Sequence, residues 1–135
     1  MKNRIDIFIE HFEFHLMRIK RTQYKSESQV TEHHNDLYIL NGEIVKDWWR
    51  KEGHLLLPED VPDIINSDVE ALVVGTGSNG KMKISQELKN LLMRKNIPIV
   101  EAPTEWAVKV YNHLRGDVFS IKPTANIAAA FHLTC

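Results

Sequence analysis

The run Gly75-Thr76-Gly77-Ser78-Asn79-Gly80-Lys81 comes nearest, in residue types and spacing, to a known chemistry. Gly75, Gly77 and Gly80 stand at the spacing G-x-G-x-x-G directly after an apolar run ending at Val74. Glu101 follows about 20 residues on, where a dinucleotide fold keeps a ribose-binding acid. The same letters satisfy the first positions of a P-loop, G-x-x-x-x-G-K. Met82 then occupies the place of the magnesium-binding hydroxyl and has no oxygen to offer, which removes the P-loop. The dinucleotide reading weakens on geometry. A pyrophosphate needs a helix that starts inside the glycine loop, whereas Lys81–Ile84 reads as extended and the helix-start signal lies at Ser85. What remains is a set of backbone amides at a strand end, suited to an anion or small polar ligand. The plainer role, glycines permitting positive φ in a turn, stands beside it. Gly75, Thr76, Gly77 and Ser78 are therefore carried as candidate ligand-binding residues.

Arg50 and His54, on a charged turn beside Trp48 and Trp49, are candidates for closing over such a ligand, although a surface loop is the commoner role. His33 and His34 are adjacent in a polar stretch, with no third ligand at metal-like spacing. His132 and Cys135 are separated by an odd spacing and would face opposite ways on a continuous strand, so no metal is expected between them. A nucleophilic Cys135 would need an adjacent base or a positive helix end. Neither is visible, and packing of a small apolar residue is the favoured role. No metal and no cofactor is expected.

These residues must be positioned by a strand, a loop, a helix and a second strand. Val69, Leu72, Val73 and Val74 read as a buried strand. Ser85 caps a helix whose Leu88, Leu91 and Leu92 make one apolar stripe, closed by Arg94, Lys95 and a left-handed Asn96. Ile97–Val100 is the next strand, giving a right-handed βαβ crossover by the handedness rule. Upstream, Ile5–Phe14 with Leu16 alternates as a strand. Arg18, Lys20, Arg21 and Lys25 read as charges protecting an exposed sheet edge. Residues 25–35 read as an irregular loop. Asn41-Gly42 marks a two-residue hairpin turn between Asp36–Leu40 and Glu43–Trp49, which places Trp48 and Trp49 on opposite faces of a strand. Pro58 opens a short helix with Val61, Ile64 and Ile65 inward. Thr104 reads as the N-cap of a helix whose stripe is Trp106, Ala107, Val110, Tyr111 and Leu114. A loop over Asp117–Asn126 and an apolar strand over Ile127–Leu133 complete the chain.

A length of 135 residues implies one domain, residues 1–135, with room for a proper core. Seventeen Lys and Arg against 18 Asp and Glu give a net charge of -1, which argues against a dedicated nucleic-acid or membrane-surface binder. One cysteine excludes an internal disulfide framework. Charges at Lys2, Arg4, Asp6 and Glu10 argue against a secretory signal, and a cytoplasmic location is the default expectation.

Four pieces, taken in order, resemble one family. They are Asp47–Arg50 with Gly53 and His54; Val73–Gly77; Pro103–Ala107 with Tyr111 and Asn112; and Ala129–Cys135. From about Phe14 to Cys135 the sequence resembles the family of small, largely uncharacterised α/β domains that includes the mammalian adipogenesis-associated domain protein. A mitochondrial complex I assembly factor is a more distant relative. The resemblance implies a three-layer α/β domain: a mixed central sheet, helices on one side, and a β-hairpin layer plus a helix on the other. It implies a pocket near the Gly-x-Gly loop and the Thr104 helix start, and no agreed catalytic residues. It also makes Gly80 a coincidental third glycine. Two departures from the relatives are a longer Asp117–Asn126 connection and Asn126 at a position where they often carry arginine.

Two function classes follow. The first is a non-enzymatic binding or assembly module with a protein partner or a homo-oligomeric face. The second is an enzyme or sensor for a small polar or anionic ligand on Gly75-Thr76-Gly77, capped by Thr104 and closed by Arg50 or His54. The first is favoured, because no general base, nucleophile and orienter stand together at recognisable spacing.

Overall fold

The computed structural model describes residues 5–23, 25–116 and 126–135. The elements run β1 (Ile5–Glu13), β2 (Leu16–Gln23), β3 (Gln29–His33), β4 (Leu37–Leu40), β5 (Glu43–Val45), β6 (Leu55–Leu56), a 3-10 turn (Pro58–Asp60), α1 (Pro62–Ile65), β7 (Ala71–Thr76), β8 (Lys83–Ile84), α2 (Gln86–Arg94), β9 (Ile99–Ala102), α3 (Thr104–Gly116) and β10 (Ile127–His132). The central sheet has the order β5-β4-β10-β7-β9. β10 lies parallel to β7 and antiparallel to β4, and β9 is parallel to β7, so the sheet is mixed.

β10 is buried along its whole length because both faces of the sheet are covered. One face packs Leu37, Ile39, Val73, Ala129 and Phe131 against Ile7, Ile9, Met17 and Ile19 of the β1-β2-β3 layer and against Ala107 and Tyr111 of α3. The other packs Leu72, Val74, Ala128 and Ala130 against Val61, Ile64, Met82, Leu88 and Leu92. The α/β class, the mixed sheet, the N-terminal β layer and the three-layer arrangement expected from the sequence are all present. Among the described residues no helix is long and apolar enough to cross a membrane.

The β7–α2–β9 unit forms as its sequence dictates. Ser85 accepts the Leu88 amide at 3.1 Å, as an N-cap side chain should. Asn96 takes φ 60° at the C-terminal end. No helix forms over residues 81–84; Lys83–Ile84 form β8, which pairs with β6, and α2 begins only at Gln86. Met82 is buried in the core on the α2 side. Asn41 and Gly42, at φ 50° and 78°, turn the β4–β5 hairpin.

Several local expectations are corrected. The alternation over Phe12, Phe14 and Leu16 is interrupted by a turn with His15 at φ 68°, so it spans two strands. The expected loop over 25–35 contains β3, a polar strand paired with β2 whose largely exposed residues carry no apolar alternation to read. β2 is then the middle strand of its sheet, and two of its cations make ion pairs, Arg18 with β3 and Arg21 with β5 of the central sheet, instead of guarding an edge. Arg18 meets Glu32 at 3.0 Å and Arg21 meets Glu43 at 3.2 Å. β5 ends at Val45, so Trp48 and Trp49 lie on an irregular connection, Trp48 buried and Trp49 exposed. Trp106 is exposed beneath Lys109, and Val108 takes its place in the buried stripe of α3. The loop expected over Asp117–Asn126 lies outside the described residues except for Asn126, which bonds Asn41 and Glu70.

Candidate functional site

Register places Leu37 of β4 opposite Phe131 of β10, so Asp36 and His132 meet at the adjoining sheet end. Asp36 Oδ2 accepts from His132 Nδ1 at 2.7 Å and from Arg50 Nη2, while Oδ1 accepts the Leu133 amide at 2.8 Å. Burial disfavours the charged form of Asp36. The bonds from His132, the Leu133 amide and Arg50 together outweigh it and hold the carboxyl below its usual range. Arg50 Nη2 also stands 2.9 Å from His132 Nδ1. Because Arg50 already donates to Asp36, the tautomer with its proton on Nδ1 satisfies the ionised carboxylate and leaves Nε2 with a lone pair, an assignment made from this network. Nε2 has no hydrogen-bond partner, although the His132 side chain is only 7% exposed.

Arg50 is held as firmly as Asp36. Its Nη1 donates to the carbonyls of Gly53 at 2.6 Å and Glu52 at 3.2 Å, and its guanidinium lies over Trp48, 5.3 Å from the ring centroid. The connection carrying it is anchored from below. Trp48 donates its indole N–H to the Asp60 carbonyl at 2.9 Å and its amide to the Asp36 carbonyl at 2.8 Å. The Asp60 carboxylate accepts the amides of Lys51 and Leu57. Above this floor opens a cavity of about 430 Å³ bordered by His15, His34, Asp47, Trp49, Arg50 and His132. Trp49 stands at its rim, 80% exposed.

The glycine loop does something different from the expected ligand cradle. Gly75 and Thr76 pair with Phe131 and His132 in the sheet. The Gly77 amide donates to Thr104 Oγ1 at 2.8 Å, and the Ser78 amide to the Thr134 carbonyl at 2.6 Å. Lys81 donates to the Cys135 carbonyl at 3.1 Å. The Ser78 and Lys81 amides clasp residues 134–135, and with the Gly77 amide on Thr104 these three donors are already used within the fold. Gly77 has φ 102°, and a Cβ there would lie 2.5 Å from the Cys135 carbonyl carbon. At Gly75 a Cβ would lie 2.8 Å from Thr104 Oγ1, so glycine lets the start of α3 approach β7.

Thr104 is the first helical residue and not the N-cap. The Pro103 carbonyl accepts the amides of Trp106 and Ala107, both at 2.9 Å. The fully buried Thr104 hydroxyl donates to the His132 carbonyl at 2.6 Å, tying α3, β7 and β10 together. Tyr111 is core as expected, and burial pushes its phenol strongly up, out of acid–base use.

Of the expected site residues, the structure gathers Arg50 and His54 at the end of β10 and assigns Gly75, Gly77 and Thr104 to its support. The separation expected between His132 and Cys135 is overturned. β10 stops at His132, strand alternation ends there, and both residues lie beside His54. Asp36 and His132 were missed as partners. Their only sequence trace is a carboxylate and an imidazole placed against apolar runs, without the pairing that joins them.

A family model described as "Protein of unknown function (DUF498/DUF598)" matches residues 9–132. The chain is similar to a conserved hypothetical protein from Pyrococcus horikoshii OT3, with 26% identity and a TM-score of 0.67 over 94% of this chain and 98% of that one. A Bartonella henselae structure titled as an outer membrane protein has 19% identity and a TM-score of 0.70, covering 96% and 97%. A Xanthomonas campestris structure has 13% identity and a TM-score of 0.69, covering 94% and 84%. The last two share the fold alone.

Proposed function

The chain belongs to the DUF498/DUF598 family, and from that premise and the site's geometry we propose that it is a non-enzymatic binding or assembly module. Its recognition surface is the cavity rimmed by Trp49. One observation carries this reading: an 80% exposed indole on a connection fixed by buried neighbours. Large aromatics displayed on an ordered backbone lose little conformational entropy on docking and are typical anchors of protein interfaces. Phe14, 60% exposed, lies edge-on to His15, which borders the cavity, with ring centroids 6.3 Å apart. The charged groups of the floor are spent on one another. The Asp36 carboxylate offsets the Arg50 guanidinium, which favours a polar partner group over a free anion.

In this reading the chain sits with the adipogenesis-associated domain proteins and, more distantly, the complex I assembly factor. It acts in the cytoplasm on a protein partner or a second copy of itself, with no role for nucleic acid or membrane. Affinity capture with wild type and Trp49→Ala, alongside sedimentation of the purified chain, tests it. One stoichiometric partner or a self-dimer lost in Trp49→Ala is expected. Thermal stabilisation by phosphate, sulfate, nucleotides or NAD, with no partner bound, would favour the ligand-sensor alternative at Arg50, His54 and the Gly75–Ser78 loop.

A further inference from the structure

A second cluster lies where residues 133–135 leave β10. His54 on the turn before β6, His132 at the end of β10, and Cys135 each bring one donor atom within 4.8 Å of the other two. Cys135 Sγ is 3.6 Å from His54 Nε2. The His54 and His132 ring centroids are 6.0 Å apart. His54 is exposed and Cys135 half-buried, so the cluster opens to solvent on one side. His132 closes it on the other with a buried Nε2 that has no hydrogen-bond partner. The adjacent ring carbon Cδ2 lies 2.8 Å from the point where a Gly77 Cβ would sit, and the Cys135 carbonyl carbon is 2.5 Å from that same point. The unpartnered edge of the imidazole therefore lies beside the Cys135 backbone, with Sγ among the three donor atoms that lie within 4.8 Å of one another.

We propose that His54, His132 and Cys135 form a binding site for one divalent transition-metal ion of the zinc class, with the fourth position open to solvent. Two imidazoles and a thiolate are the borderline-soft donor set that selects such an ion over magnesium or calcium. The geometry fits. Bonds of about 2.3 Å to sulfur and about 2.0–2.1 Å to nitrogen at a tetrahedral angle put S and N about 3.6 Å apart. That is the observed separation of Sγ and His54 Nε2. The other two donor pairs lie within 4.8 Å and close by at most about 1.2–1.5 Å to reach tetrahedral edges of about 3.3–3.6 Å, a movement that the exposed His54 turn and the half-buried Cys135 allow. Asp36 on Nδ1 of His132 holds the ring and its tautomer as an outer-sphere carboxylate does for a metal-bound histidine. On binding, the Cys135 thiol gives its proton to solvent. His132 borders both sites, but His54 and Cys135 do not line the Trp49 cavity, so variants at those two residues and at Trp49 let either reading fail without the other.

The test uses the full chain, stripped with a chelator and kept reduced with a non-thiol reductant, titrated with Co²⁺ and then Zn²⁺. One equivalent of Co²⁺ is expected, with tetrahedral d–d bands in the visible, a thiolate-to-cobalt charge-transfer band in the near ultraviolet, and displacement by Zn²⁺. Cys135→Ser should abolish the charge-transfer band. His54→Ala, on an exposed turn, should leave the fold intact and weaken Zn²⁺ binding by more than the about 10–100-fold expected of the outer-sphere Asp36→Asn. A folded wild type with no thiolate band, or unchanged affinity in both His54→Ala and Cys135→Ser, overturns the site. A plain thiol–imidazole contact would give that second result.

Discussion

Replacing Asp36 by alanine removes three interactions at once and should be among the most damaging single substitutions at the site. The Asp36 side chain is 13% exposed and that of its partner Arg50 only 5%. Truncation leaves a buried guanidinium without its counter-charge, a loss of about 3–5 kcal/mol. It also strips the acceptor from His132 Nδ1 and from the Leu133 amide. Water entering from the neighbouring cavity offsets part of that second loss, so about 3–5 kcal/mol is the expected total. For a chain of this length about 1 kcal/mol moves the melting temperature by about 3–4 °C, so Asp36→Ala should melt about 10–20 °C lower. Urea unfolding followed by tryptophan fluorescence gives the free energy directly. Asp47→Asn at the same rim is the control, because Asn tolerates the φ of 54° at that position. That carboxylate is exposed and accepts the Asn35 amide at 2.8 Å, so loss of its charge should cost about 0.5 kcal/mol or less. An Asp36→Ala loss below about 1 kcal/mol would mean that Arg50 is solvated and that the cluster does not hold the sheet end as described.

Gly77→Ala should destabilise by at least about 1–2 kcal/mol from the positive φ alone, with more from the collision with Cys135, and hydrogen exchange should rise at Ser78 and Lys81 first. Equal exchange in mutant and wild type would count against the clasp. Thr104→Val leaves the Gly77 amide and the His132 carbonyl without their shared hydroxyl and should cost about 1–3 kcal/mol by the same unfolding assay. A neutral Thr104→Val would remove that bridge from the account. Acidification tests the charge state of Asp36. Its carboxyl is more acidic folded than unfolded, so the folded chain binds fewer protons. The stability it supplies is complete above the unfolded value of 3.8 and is lost as pH falls below that, through the lower folded value. Asp36→Asn should flatten that part of the pH profile, and an unchanged profile would assign the effect to other carboxylates.

Elements whose signal is local were legible in the sequence. Ser85, the Leu88–Leu92 stripe, the Asn41–Gly42 turn and the β-rich runs around Val73 and Ala129 each carry their own instruction, and each forms. The absence of helix between Gly80 and Ser85 was equally readable, and α2 starts at Gln86. The site was less readable because strand pairing creates it. Asp36, Arg50 and His132 are far apart in the chain and meet only when β4 and β10 become neighbours, a choice that no short-range pattern states. β3 was hidden for a related reason: it is polar along most of its length and exists as a strand only because β2 offers an edge. Thr104 shows the limit of a correct residue with a wrong role. A buried hydroxyl at a helix start suggests a cap, but Pro103 supplies the capping carbonyl and frees Thr104 to bridge to β10.

The central claim is that a rigidly displayed Trp49 anchors a protein partner. Its most direct test is quantitative capture from the protein's own cells with three baits: wild type, Trp49→Ala, and Met93→Ala as an exposed apolar control on α2. One stoichiometric partner should be retained by wild type and Met93→Ala and lost by Trp49→Ala, all three baits being equally folded. The same partner retained in full by Trp49→Ala would contradict the claim.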